Sequence, residues 1–242
     1  MNVRRRSLII SVVAALAFAA CGGDDEPVAD EPAADEPAAA EQPDAPPATN
    51  EFGETLPTIA PDVPDEFLPG VGPASIVGDP LPAFPGDGQP DPAVGLTAPV
   101  LNAEATNGQG VRVDATVAGP LWVVFLAHWC PHCNDEIPVI NQMREDGRIP
   151  EDVTVIGIST AYSPERPNWP PDEWLREMEW AFPAINDGLD TAQETYIAAS
   201  GFGIGGFPFS MLVDGDGTVT ARWSGGRSAD QLEALLNANL TL

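Results

Sequence analysis

The sequence has no lysine, only two histidines and three cysteines, and no long uninterrupted apolar run. Each scarcity excludes something. All ten basic residues are arginines, and against 37 acidic residues they leave a formal charge of −27. A nucleic-acid-binding protein would carry a basic footprint, so that class is excluded. No apolar stretch reaches the roughly 18 residues of a membrane-spanning helix, which excludes a polytopic membrane protein. Three cysteines are too few for a disulfide-dense scaffold. The 242 residues suffice for one or two domains.

What is present is distributed unevenly. Residues 1–20 hold Arg4, Arg5 and Arg6 and no acid. The apolar stretch Ser7–Ala20 would reach about 21 Å as a helix, short of the roughly 30 Å hydrocarbon core. This reads as a signal peptide. Its end, Ala19-Ala20-Cys21-Gly22, resembles a bacterial lipobox, with Cys21 as the lipidated residue. Phe18 departs from the usual leucine there, and an ordinary signal peptide with an incidental cysteine is the alternative. Residues 21–74 form an acidic, Pro/Ala-rich segment with a crude DEPAADEPAAAEQP repeat and no hydrophobic face. Proline and like charge predict an extended, disordered linker.

Residues 75–92 read as an N-terminal extension of a folded domain spanning 93–242. There, strand and helix signals alternate, which predicts an α/β fold with at least one parallel strand pair. Leu121–Ala127 (LWVVFLA) reads as a strand buried on both faces, and Val153–Ser159 as a second. A helix is expected from Cys130, with Pro131 at its first position, an apolar face of Ile137, Ile140 and Met143, and a kink at Pro138. Pro171–Ala181 and Thr191–Ala199 also read as helices. Phe209–Asp214 and Thr218–Trp223 flank Gly215-Asp216-Gly217 as a hairpin. Ser228 with Gln231 fits a capping box.

Cys130-Pro131-His132-Cys133 follows the first buried strand and opens a helix. Cys130 would stand where the helix dipole and free backbone N–H groups favour a thiolate, the nucleophile of disulfide exchange. Cys133, one turn further on, is placed to attack a mixed disulfide and release the partner. His132 adds a donor or a positive charge beside them. One cysteine serves lipidation and two serve redox chemistry, leaving none over. Zinc would have only Cys130, Cys133, His128 and His132 within six positions, an awkward set. No metal site and no cofactor are expected. Copper carriage by two thiolates and a histidine is an alternative. A purely structural disulfide would close a loop too short to stabilise much. His128 reads as a solvated loop residue.

The segment Phe125–Pro138 (FLAHWCPHCNDEIP) resembles the active-site segment of the thioredoxin superfamily, most closely its membrane-anchored TlpA/ResA-like thiol-disulfide oxidoreductases. Gly95, Ala98 and Pro99 resemble that family's opening motif, Gly206-Phe207-Pro208 its cis-proline loop, and Val213–Gly217 the hairpin that follows. The resemblance spans about 93–242. It implies a thioredoxin-like fold, a central mixed sheet flanked by helices, behind the linker. It implies Cys130 as attacking and Cys133 as resolving cysteine, Pro208 as the cis-proline lining the substrate groove, and Glu136 as an acid able to relay a proton to Cys133. Three departures stand out. Val124 occupies the position of the buried aspartate of thioredoxins. Phe207 precedes the cis-proline where smaller residues are common. The Pro-His dipeptide resembles that of the oxidant DsbA, whereas the family as a whole leans toward reductants.

The expected function is lipid-anchored thiol-disulfide exchange with exported proteins at the outer side of the cell membrane. The direction is left open: oxidation of exported proteins, or reduction of targets such as apocytochrome c. A membrane redox partner is expected, and no nucleic acid. Trp129, Phe207, Pro208 and Trp169 are the candidate groove residues, with Trp174 helping Trp169 to shape the groove; the alternative, which the sequence favours, is that both tryptophans pack a proline-rich loop onto the core. A copper-delivery lipoprotein and a thiol peroxidase are the alternatives. The latter would be expected to carry threonine where Ala127 stands.

Overall fold

The computed structural model of the chain describes residues 74–104, 110–190 and 192–240. The signal segment, Cys21 and the linker up to residue 73 lie outside the described residues.

The described chain runs β1 (Ser75–Val77), β2 (Val100–Glu104), β3 (Gly110–Val113), α1 (Ala115–Ala118), β4 (Leu121–Leu126), α2 (Pro131–Glu145), β5 (Thr154–Ser159) and α3 (Pro171–Glu177). It continues through β6 (Ala184–Asn186), β7 (Leu189–Asp190), β8 (Thr195–Tyr196), α4 (Ile197–Gly201), β9 (Phe209–Val213), β10 (Val219–Ser224) and α5 (Ala229–Asn239). The central sheet has the order β10-β9-β4-β5-β6. β4, β5 and β6 are parallel, with Leu121 opposite Thr154 and Gly157 opposite Ala184. β9 joins β4 antiparallel, and β10 joins β9 antiparallel. The parallel pair β4–β5 is crossed by α2, so both strands end at the same edge, and α2 begins there.

β4 is the middle strand of the five, and every one of its residues is buried. Side chains alternate across a strand. Leu121, Val123 and Phe125 therefore enter one core with Leu101, Val111, Val113, Phe202, Phe209 and Met211. Trp122, Val124 and Leu126 enter the other, with Ile137, Ile140 and Met143 of α2 and Leu232 and Leu236 of α5. The apolar run read from the sequence is thus divided between two layers. At about 1.5–3 kcal/mol for a fully buried large apolar side chain, these two faces anchor everything around them, the start of α2 included.

A separate antiparallel sheet, β1-β2-β3, covers the first core. The sequence signals did not predict it, because its strands are only three to five residues long. β1 lies in the segment read as an extension and pairs with β2, so this segment shares a sheet with the domain. A buried ion pair fastens residues 81–95 to β10. The Arg222 guanidinium donates from Nε to Asp91 Oδ2 at 2.8 Å and from a terminal nitrogen to Oδ1 at 2.6 Å. It also meets the carbonyls of Phe202 at 2.9 Å and Pro82 at 3.0 Å. Burial alone would raise the Asp91 carboxyl; the Arg222 and Ala93 hydrogen bonds outweigh it and hold the group below the ordinary carboxylate range. Gly203, at φ +60°, lets the same segment approach, since a Cβ there would run into the Pro82 carbonyl.

Several expectations need correction. Thr191–Ala199 is not one helix: β8 covers Thr195–Tyr196 and α4 begins at Ile197. Pro171–Ala181 shortens to α3, Pro171–Glu177, because Glu179 takes a left-handed φ of 54° and the chain turns back. Pro138, the expected kink position, lies inside α2 on its exposed side. The hairpin stands, with Gly217 at φ +86° closing the turn. The Ser228–Gln231 capping box is present in full.

Candidate active site

The site is built where β4 ends. Ala127, His128 and Trp129 turn the chain, the Cys130 N–H donates to the Ala127 carbonyl at 2.9 Å, and α2 starts at Pro131. Cys130 is the N-cap residue, in extended backbone, with no side-chain capping bond. Both cysteines are free thiols. They are not equivalent: Cys130 is 5% exposed and Cys133 0%. Burial pushes the Cys133 thiol far above its ordinary range, opposed by a hydrogen bond from the Ala127 backbone, while the charges of Cys130 and Glu136 add to the rise.

Across from Cys130 lies the 206–208 loop. The Phe207–Pro208 bond is cis, and the Phe207 carbonyl oxygen stands 3.6 Å from Cys130 Sγ. The Phe207 ring meets Trp129 edge-on at 5.9 Å. Trp129 and Cys130 thus meet Phe207, some 77 residues away in sequence, with the buried Pro208 directly behind it.

Glu136 is 2% exposed, which removes the alternative of a solvated helix acid. Its Oε1 accepts the Arg227 N–H at 3.0 Å, and its Oε2 is buried without a partner among the described residues. Desolvation raises its carboxyl to about 7, against the Arg227 backbone hydrogen bond and charge that pull it down. Glu136 lines an open pocket of about 410 Å³ with His132, Asp135, Gly225, Gly226 and Arg227. His132 itself projects outward, its side chain 75% exposed and 4.0 Å from Asp135. Val124 is fully buried in β4, so no carboxylate stands at its position.

His128 corrects the reading of a solvated loop residue: it is 0% exposed. Its Nδ1 faces the Pro167 carbonyl at 2.7 Å and its Nε2 faces the Ser163 N–H at 3.2 Å. A carbonyl only accepts and an amide only donates, so Nδ1 carries the proton and Nε2 is bare. Asn168 Nδ2 donates to the His128 carbonyl at 2.7 Å, and Trp169 meets the His128 ring edge-on at 5.6 Å. His128 therefore pins the proline-rich loop beside the cysteines. The sequence offered no signal for this, since the partners lie 35 to 40 residues away. Trp169 is 44% exposed on that loop. Trp174 is buried, its Nε1 donating to Asn134 Oδ1 at 2.8 Å, and belongs to the core. Arg166, not singled out by the sequence reading, lies with its guanidinium carbon 4.2 Å above the Trp129 ring.

Among the described residues no group of three or more His, Cys, Asp and Glu side chains is arranged to hold a metal ion, and no helix is long and apolar enough to cross a membrane.

A parallel β4–β5 pair, a dithiol motif at the head of the crossing helix and a cis-proline facing it define a thioredoxin-like dithiol protein. The model of the AhpC/TSA family matches residues 94–232, more than half of the chain, and the chain belongs to that family. It is 34% identical over 107 residues to the thiol:disulfide interchange protein CycY of Rhizobium leguminosarum bv. viciae, covering 44% of this chain and 50% of that protein. It is 26% identical over 154 residues to the methylamine utilization protein MauD of Paracoccus versutus, covering 62% of this chain and 68% of that protein. The chain thus spans half the length of CycY. Among solved structures, a thioredoxin-family thiol:disulfide interchange protein from Chlorobium tepidum is 22% identical, with 60% and 96% of the two chains covered and a TM-score of 0.47. StoA from Bacillus subtilis is 19% identical, with 59% and 98% covered and a TM-score of 0.44.

Proposed function

We propose that this chain is an extracytoplasmic thiol-disulfide oxidoreductase, lipid-anchored through Cys21, that exchanges the Cys130–Cys133 disulfide with thiols of exported proteins. The observation that carries this reading is the asymmetry of the two cysteines at the head of α2. Cys130 stands at the helix N-cap, where the macrodipole favours negative charge, and faces the cis-proline loop. Cys133 is sealed one turn inside, with its thiol held protonated by burial.

In the reducing direction the Cys130 thiolate attacks a substrate disulfide and forms a mixed disulfide, and one substrate thiolate leaves. Cys133 then loses its proton, attacks Cys130 Sγ and expels the second substrate thiolate. The substrate gains two electrons and the pair becomes a disulfide. In the oxidising direction the same steps run backwards. Glu136 is the group positioned to take up and return the Cys133 proton: a carboxyl at about 7 exists in both forms at neutral pH. Pro208, Phe207, Trp129 and Trp169 line the partner's path, and exposed His132 stands at its rim. Residues 21–74 would hold the domain, 93–242 with its 75–92 extension, away from the membrane.

The reduction potential of the pair tests the reading and sets the direction. A value near −120 mV makes the protein an oxidant, and one near −270 mV a reductant that needs a membrane electron donor. Absence of a reversible couple overturns the reading, and stoichiometric Cu(I) binding would then favour copper delivery. Replacing Cys21 with serine should release the protein from membranes. Membership of the AhpC/TSA family favours a second reading, thiol peroxidase. Ala127 offers no hydroxyl to a peroxide at Cys130, and failure to consume peroxide removes this reading.

A further inference from the structure

Arg166 stands on the loop beside the cysteines, over the residue that precedes Cys130. Its guanidinium carbon lies over the Trp129 ring, 4.2 Å from the ring centre. Trp129 is held from two sides, by its Nε1–H donating to the Ala161 carbonyl at 2.7 Å and by the edge of Phe207. The loop that carries Arg166 is held by His128, by the Asn168 bond to the His128 carbonyl, and by the Arg166 backbone N–H donating to Ser163 at 2.9 Å. Arg112, Arg148, Arg222 and Arg227 each pair with a carboxylate. The Arg166 guanidinium meets no acceptor among the described residues. A stacked guanidinium keeps its N–H donors in its own plane, free to grip a carboxylate with two parallel bonds. This fork is anchored on the residue immediately before Cys130.

We propose that the Arg166 guanidinium stacked on Trp129 is a carboxylate-recognition element that selects partner proteins with an aspartate or glutamate beside the reacting cysteine. The proposal rests on the exchange activity inferred above. The charge of the whole protein makes it discriminating. At −27, the long-range field disfavours acidic partners, so a preference for them must come from a local cation.

The test compares two cysteine disulfide peptides, identical except that the residues flanking the cysteine are aspartate in one and asparagine in the other. The ratio of their second-order rate constants with the pre-reduced protein is measured for the wild type, Arg166→Gln, Arg166→Lys and Arg166→Glu. An exposed charge pair gives the wild type about a two- to fivefold preference for the aspartate peptide, weakening as salt rises. Gln abolishes the preference, Glu inverts it, and Lys retains only part, because an ammonium cannot present the fork. A wild-type ratio at or below one, or one unchanged in Arg166→Gln, overturns the proposal. A neutral small-molecule disulfide assayed with the wild type separates the failures. Reaction of the reduced protein with it, or of the oxidised protein with a small dithiol, but no peptide preference sinks only the recognition role, whereas no reaction in either direction sinks the oxidoreductase reading.

Discussion

Glu136 and Arg227 meet across 91 residues: one carboxylate oxygen of Glu136 accepts the Arg227 backbone N–H at 3.0 Å, while the other is buried with no partner among the described residues. A half-satisfied carboxylate beside a buried thiol does not contribute to stability at neutral pH, and its cost is what lifts its carboxyl to about 7.

The pH dependence of stability should show this. Ordinary glutamate ionises near 4.5, and Glu136 near 7 in the folded protein. Between those values the folded state keeps a proton that the unfolded state has released, so stability falls as pH rises through that window and the loss is complete above it. Glu136→Gln retains an acceptor for the Arg227 N–H. It should match the wild type near pH 4 and exceed it by up to about 3 kcal/mol at pH 8. Urea unfolding at pH 4, 6 and 8 checks this, and parallel curves would show the assignment to be wrong. The resolution rate should also lose its inflection near pH 7 in the variant.

The cysteines should react in a fixed order. Iodoacetamide, which attacks thiolates, should label Cys130 well before Cys133 in the reduced folded protein, because burial holds Cys133 protonated. Peptide mass spectrometry after brief labelling reads the order. Cys133→Ser should accumulate mixed disulfides through Cys130, and Cys130→Ser should accumulate none.

Removing one partner of the Arg222–Asp91 pair should be costly. The Arg222 side chain is 0% exposed, so Asp91→Asn strands a buried charge, at about 3–5 kcal/mol. The double substitution Arg222→Met with Asp91→Leu should recover most of that. Denaturant midpoints of the single and double variants decide it; a single variant within 1 kcal/mol of wild type, on the order of a surface pair, would contradict the buried role.

Replacing His128 with alanine should free the 161–170 loop. It leaves the Pro167 carbonyl and the Ser163 N–H unmatched, at about 1–3 kcal/mol for each group kept from water. Hydrogen exchange at Ser163 and its neighbours should accelerate while β4 and β5 remain protected. Unchanged exchange there would mean that the loop is held by other contacts.

The sequence by itself determined the frame of this protein. A fully apolar β4, a proline directly after Cys130 and an apolar stripe along α2 can only be satisfied by a buried strand feeding a helix, and these signals are local in the chain. Gly206-Phe207-Pro208 was legible through its resemblance to the family's cis-proline loop, and the Gly217 turn because few residues other than glycine accept a positive φ. The tertiary structure alone decided the rest. Whether Glu136 is solvated or buried depends on Arg227 arriving from β10's far end, and whether His128 is free or locked depends on a loop some 35 residues later. The short strands β1–β3 gain their stability from the core they cover rather than from any pattern of their own. Arg166 became a candidate only when folding set it over Trp129. Burial and long-range pairing change a residue's electrostatics and solvation, and neither is written in its immediate neighbours.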